Sequence, residues 1–215
     1  KRITSKIVRP VTCIIGGSKI STKIDIISNL IKDFDNIIIV GGMGNAMLKN
    51  TGINIGKSIC DDGYKDLVGE ILKKSETHDC KIYYPLDVVV SKTFNGSGTI
   101  KEINEVNNDE MILDIGPKTI TSIKNIINES NTVLWNGPAG YFENPNFANG
   151  TKEILEIIAG KRVKDKIYAV AGGGETVAVI NKFDKLDTFN FVSTAGGAFL
   201  EYLEGKEIPG IKALN

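Results

Sequence analysis

The chain has 215 residues, 41% of them hydrophobic, which suits the two-faced core of one large α/β domain. Lys plus Arg and Asp plus Glu number 26 each, so no overall field draws the chain to nucleic acid or to an anionic membrane, and neither partner is expected. No apolar run approaches the roughly 20 residues that span a bilayer, KRITSKIVRP lacks an apolar signal core, and Cys13, Cys60 and Cys80 form no CxxC pair, so a cytoplasmic location with reduced thiols is expected.

Apolar runs alternate with stretches of helical period. A strand near 11–15 precedes a helix opened by Ser21, with Ile24, Ile27, Leu30, Ile31 and Phe34 on one face. A strand at 36–40 leads to a short helix around 43–50, closed by Gly52. A helix over 62–77 and a strand over 81–90 follow. The polar run from Ser91 to Glu110 reads as a surface hairpin or loop that interrupts the alternation. The alternation resumes with MILDIG at 111–116, after which Pro117 suits a helix first turn. Strands at 132–135, 166–172 and 191–194 then alternate with helices near 147–159, from Glu175 to Phe183 and from 198 onward. The pattern implies a three-layer, Rossmann-like, mostly parallel sheet with helices on both faces, in a single domain over 1–215.

Five of the apolar runs end in glycine-bearing turns: CIIGGS at 13–18, IIIVGG at 37–42, LWNGPAG at 134–140, YAVAGGGE at 168–175 and FVSTAGG at 191–197. In a parallel sheet the carboxyl ends share one edge, so these turns would gather along one crevice where backbone N–H groups approach a ligand. That arrangement points to a phosphate-bearing ligand. In GGSKISTK, Lys19 and Lys23 stand four residues apart at the start of a helix, where the macrodipole disfavours cations. An anion between them explains the placement; on spacing alone a solvated helix face explains it too. GINIGKS at 52–58 has three residues between its glycines where a P-loop needs four, and no GxGxxG follows the first strand. His78, the one histidine, lies in a polar stretch far from every glycine turn. The sequons at Asn95, Asn128 and Asn149 carry no weight, because short N-x-S/T matches arise by chance and nothing else in the sequence suggests secretion. Arginine occurs only at positions 2, 9 and 162, so no guanidinium cluster grips a small polyanionic acid.

The motifs RPVTCIIGGSKISTKID, IIIVGGM, IGKS, YYPLDVVV, LDIGPKT, VLWNGPAGYFE, FANGTK, GGGET, VSTAGGA and LEGKEIPGIKAL occur in this order over nearly the whole chain. Together they resemble the carboxyl-terminal, nucleotide-binding domain of the phosphoglycerate kinase family. The resemblance implies a glycolytic kinase that moves a phosphoryl group between 1,3-bisphosphoglycerate and ADP with Mg²⁺, giving 3-phosphoglycerate and ATP. It implies that Lys19 contacts the transferring group and Lys23 the nucleotide phosphates. Gly17, Ser18 and Gly42 would line the nucleotide cleft, and Asn136, Pro138, Gly140, Tyr141 and Glu143 would hold the adenosine. Gly173, Gly174 and Thr176 would meet the phosphates at a helix N-terminus, Glu175 would approach Mg²⁺, and Gly196 and Gly197 would offer amides to the group in flight. The family's amino-terminal half, which binds 3-phosphoglycerate, is absent from these 215 residues, so a monomer that binds nucleotide without turnover is expected.

Five positions depart from the family pattern: Glu175 stands for aspartate, Ile112 for a glycine against the adenine, Ala195 for glycine, Phe191 for histidine and Phe199 for serine. A second reading follows from their expected clustering at the cleft, that of a diverged, non-catalytic relative that keeps the fold for structural or protein contacts.

Overall fold

The computed structural model describes residues 7–165 and 167–207; the amino-terminal KRITSK, Lys166 and the IPGIKALN end of the chain lie outside the described residues. Six strands form one sheet: β1 (Val11–Ile15), β2 (Asn36–Ile39), β3 (Lys81–Tyr83), β7 (Thr132–Asn136), β8 (Tyr168–Gly172) and β9 (Phe191–Ser193). Their order is β3-β2-β1-β7-β8-β9, and every neighbouring pair is parallel. All five strands that end in glycine turns belong to it, so their carboxyl ends meet on one edge.

Helices cover both faces, because successive side chains of a strand point to opposite sides. Val11, Cys13 and Ile15 of β1 pack with α1 (Ile24–Leu30), α2 (Gly41–Asn50), α3 (Tyr64–Thr77) and α7 (Gly196–Leu203). Ile14 joins the opposite layer with α4 (Pro117–Glu129), α5 (Asn149–Asp165) and α6 (Gly174–Lys182), around Trp135 and Leu155. No helix among the described residues is long and apolar enough to cross a membrane.

The region from 81 to 116 departs from the sequence expectation. The stretch 81–90 is two strands broken at Pro85: β3 stays in the large sheet, while β4 (Asp87–Ser91) enters a second one. There it pairs antiparallel with β5 (Thr99–Glu102) and β6 (Met111–Ile115). The run 91–110 is therefore partly sheet, and MILDIG does not continue the parallel alternation. The buried carboxylate of Asp87 ties this sheet to α4, accepting from the N–H groups of Lys118 and Thr119 at 2.9 and 2.8 Å. Leu48 of α2, Ile55, Val88, Val90 and Val106 form its separate apolar cluster.

Candidate functional site

The carboxyl edge of the large sheet is knitted by close backbone packing. A Cβ on Gly16 would stand 2.1 Å from the carbonyl oxygen of Pro138, and one on Gly137, at φ +91°, would stand 2.2 Å from that of Gly16. Only glycine lets these two turns touch. Beneath them, Lys23 is half-buried, and its Nζ donates to the Gly16 carbonyl and, at 2.6 Å, to Asn136 Oδ1. Asn136 Nδ2 donates in turn to the Gly172 carbonyl at 2.6 Å, and Thr176 Oγ1 accepts from the Gly137 N–H at 2.6 Å. The ends of β1, β7 and β8 are thus pinned through one ammonium and two polar side chains. Burial holds the Lys23 ammonium below its usual range, with the Glu175 carboxylate acting in the opposite direction.

The helix α1 begins at Ile24, and no side chain caps it from Lys23. Ser21 is therefore not the N-cap that its residue type suggested. Asp61, from the segment between α2 and α3, accepts from the N–H groups of Ile20 and Ser21 at 2.7 and 3.2 Å and from Ser21 Oγ at 2.9 Å. A carboxylate already occupies those donors, so a phosphate at this turn would depend on the lysines. Lys19 is exposed beside it.

Between the two sheets lies a cavity of about 340 Å³. Of the residues expected to bind nucleotide, Gly17, Ser18, Gly42, Ile112, Pro138, Gly140, Tyr141, Glu143 and Glu175 line it. Asn136 and Thr176 are buried in the floor of the edge, outside that lining, and the half-buried Lys23 is outside it too. Gly173 caps α6 at φ +96°, Gly174 begins that helix, and Gly196 and Gly197 begin α7. At Gly174, Gly196 and Gly197 a Cβ would meet open space, so these two helix N-termini are bare towards the edge. Glu175 lies in the first turn of α6, exposed.

Several lining residues escaped sequence reasoning. Asn45 and Ile59 contribute from α2 and the segment after it, and Phe94 from the polar run assigned to the surface. Phe94 meets Tyr141 edge-on, with ring centroids 5.2 Å apart, and its carbonyl accepts from Asn144 Nδ2 at 2.7 Å. One aromatic residue within a run of Asn, Gly and Ser was the available signal. Asp114 also lines the cavity; it is buried and accepts from the N–H groups of Gly150 and Ile115 at 2.7 and 2.9 Å. Burial outweighs those bonds and pushes its carboxyl up to about 7.

The departures do not all gather at the cleft. Ile112 and Glu175 line it, but Phe199 is buried in the core, its ring filling the space beside Gly172. Phe191 is exposed on β9 at the sheet's edge, and Ala195 is the N-cap of α7.

A family model described as phosphoglycerate kinase matches residues 1–206. The phosphoglycerate kinase of Zymomonas mobilis is 45% identical over 207 residues, which make up 95% of this chain and 52% of that protein. That of Chelativorans sp. is 42% identical over 208 residues, 96% of this chain and 52% of its own length. Among solved structures, phosphoglycerate kinase from Coxiella burnetii aligns with a TM-score of 0.93 at 38% identity, over 100% of this chain and 55% of the other. The enzyme from Pyrococcus horikoshii OT3 aligns at 0.79 and 25% identity, over 99% and 53%. The chain spans about half the length of the curated relatives it matches.

Proposed function

The chain belongs to the phosphoglycerate kinase family, and we propose that it serves as the nucleotide-binding half of such a kinase. Mg-ADP or Mg-ATP would enter with base and ribose in the cavity and phosphates along the sheet edge. The observation that carries this reading is that the cavity lining reaches the sheet edge at Gly17, Ser18 and Glu175, next in sequence to Lys19 and in the first turn of α6. Joined to a phosphoglycerate-binding half, it would let a terminal oxygen of ADP attack the phosphorus of 1,3-bisphosphoglycerate as the bond to the carboxylate breaks. A carboxylate leaves without protonation, so the step needs positioning and charge neutralisation instead of a general base.

In this reading Lys19 neutralises the transferring group, and the N–H groups of Gly196 and Gly197 take up charge that develops on its oxygens. Lys23 holds the floor through Gly16 and Asn136, and its charge lies beneath the phosphate path. No cluster of three metal-ligating side chains occurs among the described residues, and Glu175 is the carboxylate on the cleft beside the α6 N-terminus. One carboxylate suits an ion held mainly by phosphates and water. Mg²⁺ bound with the nucleotide would supply neutralisation of the phosphate charge.

The alternative of a non-catalytic relative is favoured by one observation, the presence of Ile112 on the cavity lining. Pairing the chain with the amino-terminal half of the Zymomonas mobilis relative decides between them. ATP formation from 1,3-bisphosphoglycerate by the pair, and none by the chain alone, is expected. Lys19→Ala should lower turnover roughly a hundredfold or more with circular dichroism unchanged. Undiminished turnover in that variant would remove the assignment of Lys19, and a folded, inactive pair would favour the non-catalytic reading.

A further inference from the structure

Asn45 sits on α2 and is 1% exposed, yet it is part of the cavity lining. Its Nδ2 donates to the carbonyl of Ile59 at 3.1 Å, which fixes the amide orientation, because the reversed amide would set Oδ1 against that carbonyl oxygen. Oδ1 is then a buried acceptor without a hydrogen-bond partner among the described residues. Such an atom forfeits hydration without compensation, so a ligand that brings a donor to it gains a bond and removes a standing cost. The surroundings decide which part of a ligand that is. Ile59, Pro85, Ile112 and Leu113 form an apolar wall in the same cavity. That wall suits the faces of a heteroaromatic base, whereas Lys19 and Lys23 belong to the phosphate edge.

We propose that Asn45 determines base specificity: its Oδ1 accepts a hydrogen bond from the 6-amino group of a purine nucleotide. The inference rests on the nucleotide reading given above. A 6-oxo purine would bring an acceptor against an acceptor, and a purine without a 6-substituent would leave Oδ1 unpaired. The test is calorimetry of the folded chain with the Mg²⁺ complexes of ADP, inosine 5′-diphosphate and purine riboside 5′-diphosphate. ADP is expected to bind about tenfold more tightly than either analogue, and Asn45→Leu to make the ADP and purine riboside affinities equal. Equal affinities in the unaltered chain, or an unchanged ratio in the variant, would overturn the proposal while the nucleotide reading stands. No binding of any of the three would overturn both. If Asn45→Leu does not fold, the comparison on the unaltered chain decides alone.

Discussion

Asp114 is the group at the cleft whose environment most alters its ordinary chemistry. Its two oxygens each accept a backbone N–H, but burial dominates and raises the folded pKa to about 7 from an ordinary 3.8. A carboxyl with a raised folded pKa holds a proton that the unfolded chain has already released. Its contribution to stability is therefore greatest below the unfolded value, falls as pH rises between about 4 and 7, and is level above that. The loss across that window is on the order of 4 kcal/mol. Carboxylates such as Glu70 and Glu110, whose pKa values are lowered by Lys74 and Lys101, push the other way. The clean readout is thus the difference between the unaltered chain and Asp114→Asn in urea unfolding at pH 5 and pH 8. The unaltered chain should lose more stability than the variant on going to pH 8; identical changes in both would place the cause elsewhere. At this scale the sequence exposed Gly17, Ser18, Tyr141 and Glu143 through their motifs. It could not expose Asn45 or Asp114, whose importance comes from burial and unpaired or crowded polar atoms.

Among the elements, the turn between β1 and α1 is where local structure and function meet. Asp61 accepts three hydrogen bonds from Ile20 and Ser21 and so fixes the segment that carries Lys19 and Lys23. Asp61→Ala should cost about 1–2 kcal/mol in stability, as the loss of a capping acceptor does. It should also weaken Mg-ADP binding several-fold, because both lysines sit on the freed turn. Urea unfolding and calorimetry together check this: lost stability with unchanged affinity would reduce Asp61 to a purely structural cap. The strands of the large sheet were legible because both of its faces are covered, so β1 and β7 read as mainly apolar runs that lead into glycine turns. The second sheet was not. Pro85 splits one apolar run between two sheets, a register shift at Val89/Val90 breaks the alternation, and β5 is mostly exposed. α2 begins at Gly41, two residues earlier than its apolar period suggested, since Gly41 and Gly42 pack against the backbone of Gly17 and Ser18.

For the whole molecule, the organising fact is a cavity held between a six-stranded parallel sheet and a three-stranded antiparallel one, opening towards the edge where the glycine turns converge. With equal numbers of positive and negative side chains, attraction of a polyanion comes from local placement of Lys19, Lys23 and helix N-termini and not from net charge. The convergence of glycine turns could be read from order and spacing alone. The far wall, built by Phe94 and β6, could not, because it depends on how a polar run folds back over the cleft. The central claim is that this cleft takes a nucleotide, and titration of the folded chain with Mg-ADP in a calorimeter tests it most directly. Saturable binding with one nucleotide per chain, weakened by Lys23→Met, is the expected result. Absence of binding by a sample whose circular dichroism and cooperative unfolding show it to be folded would contradict the account.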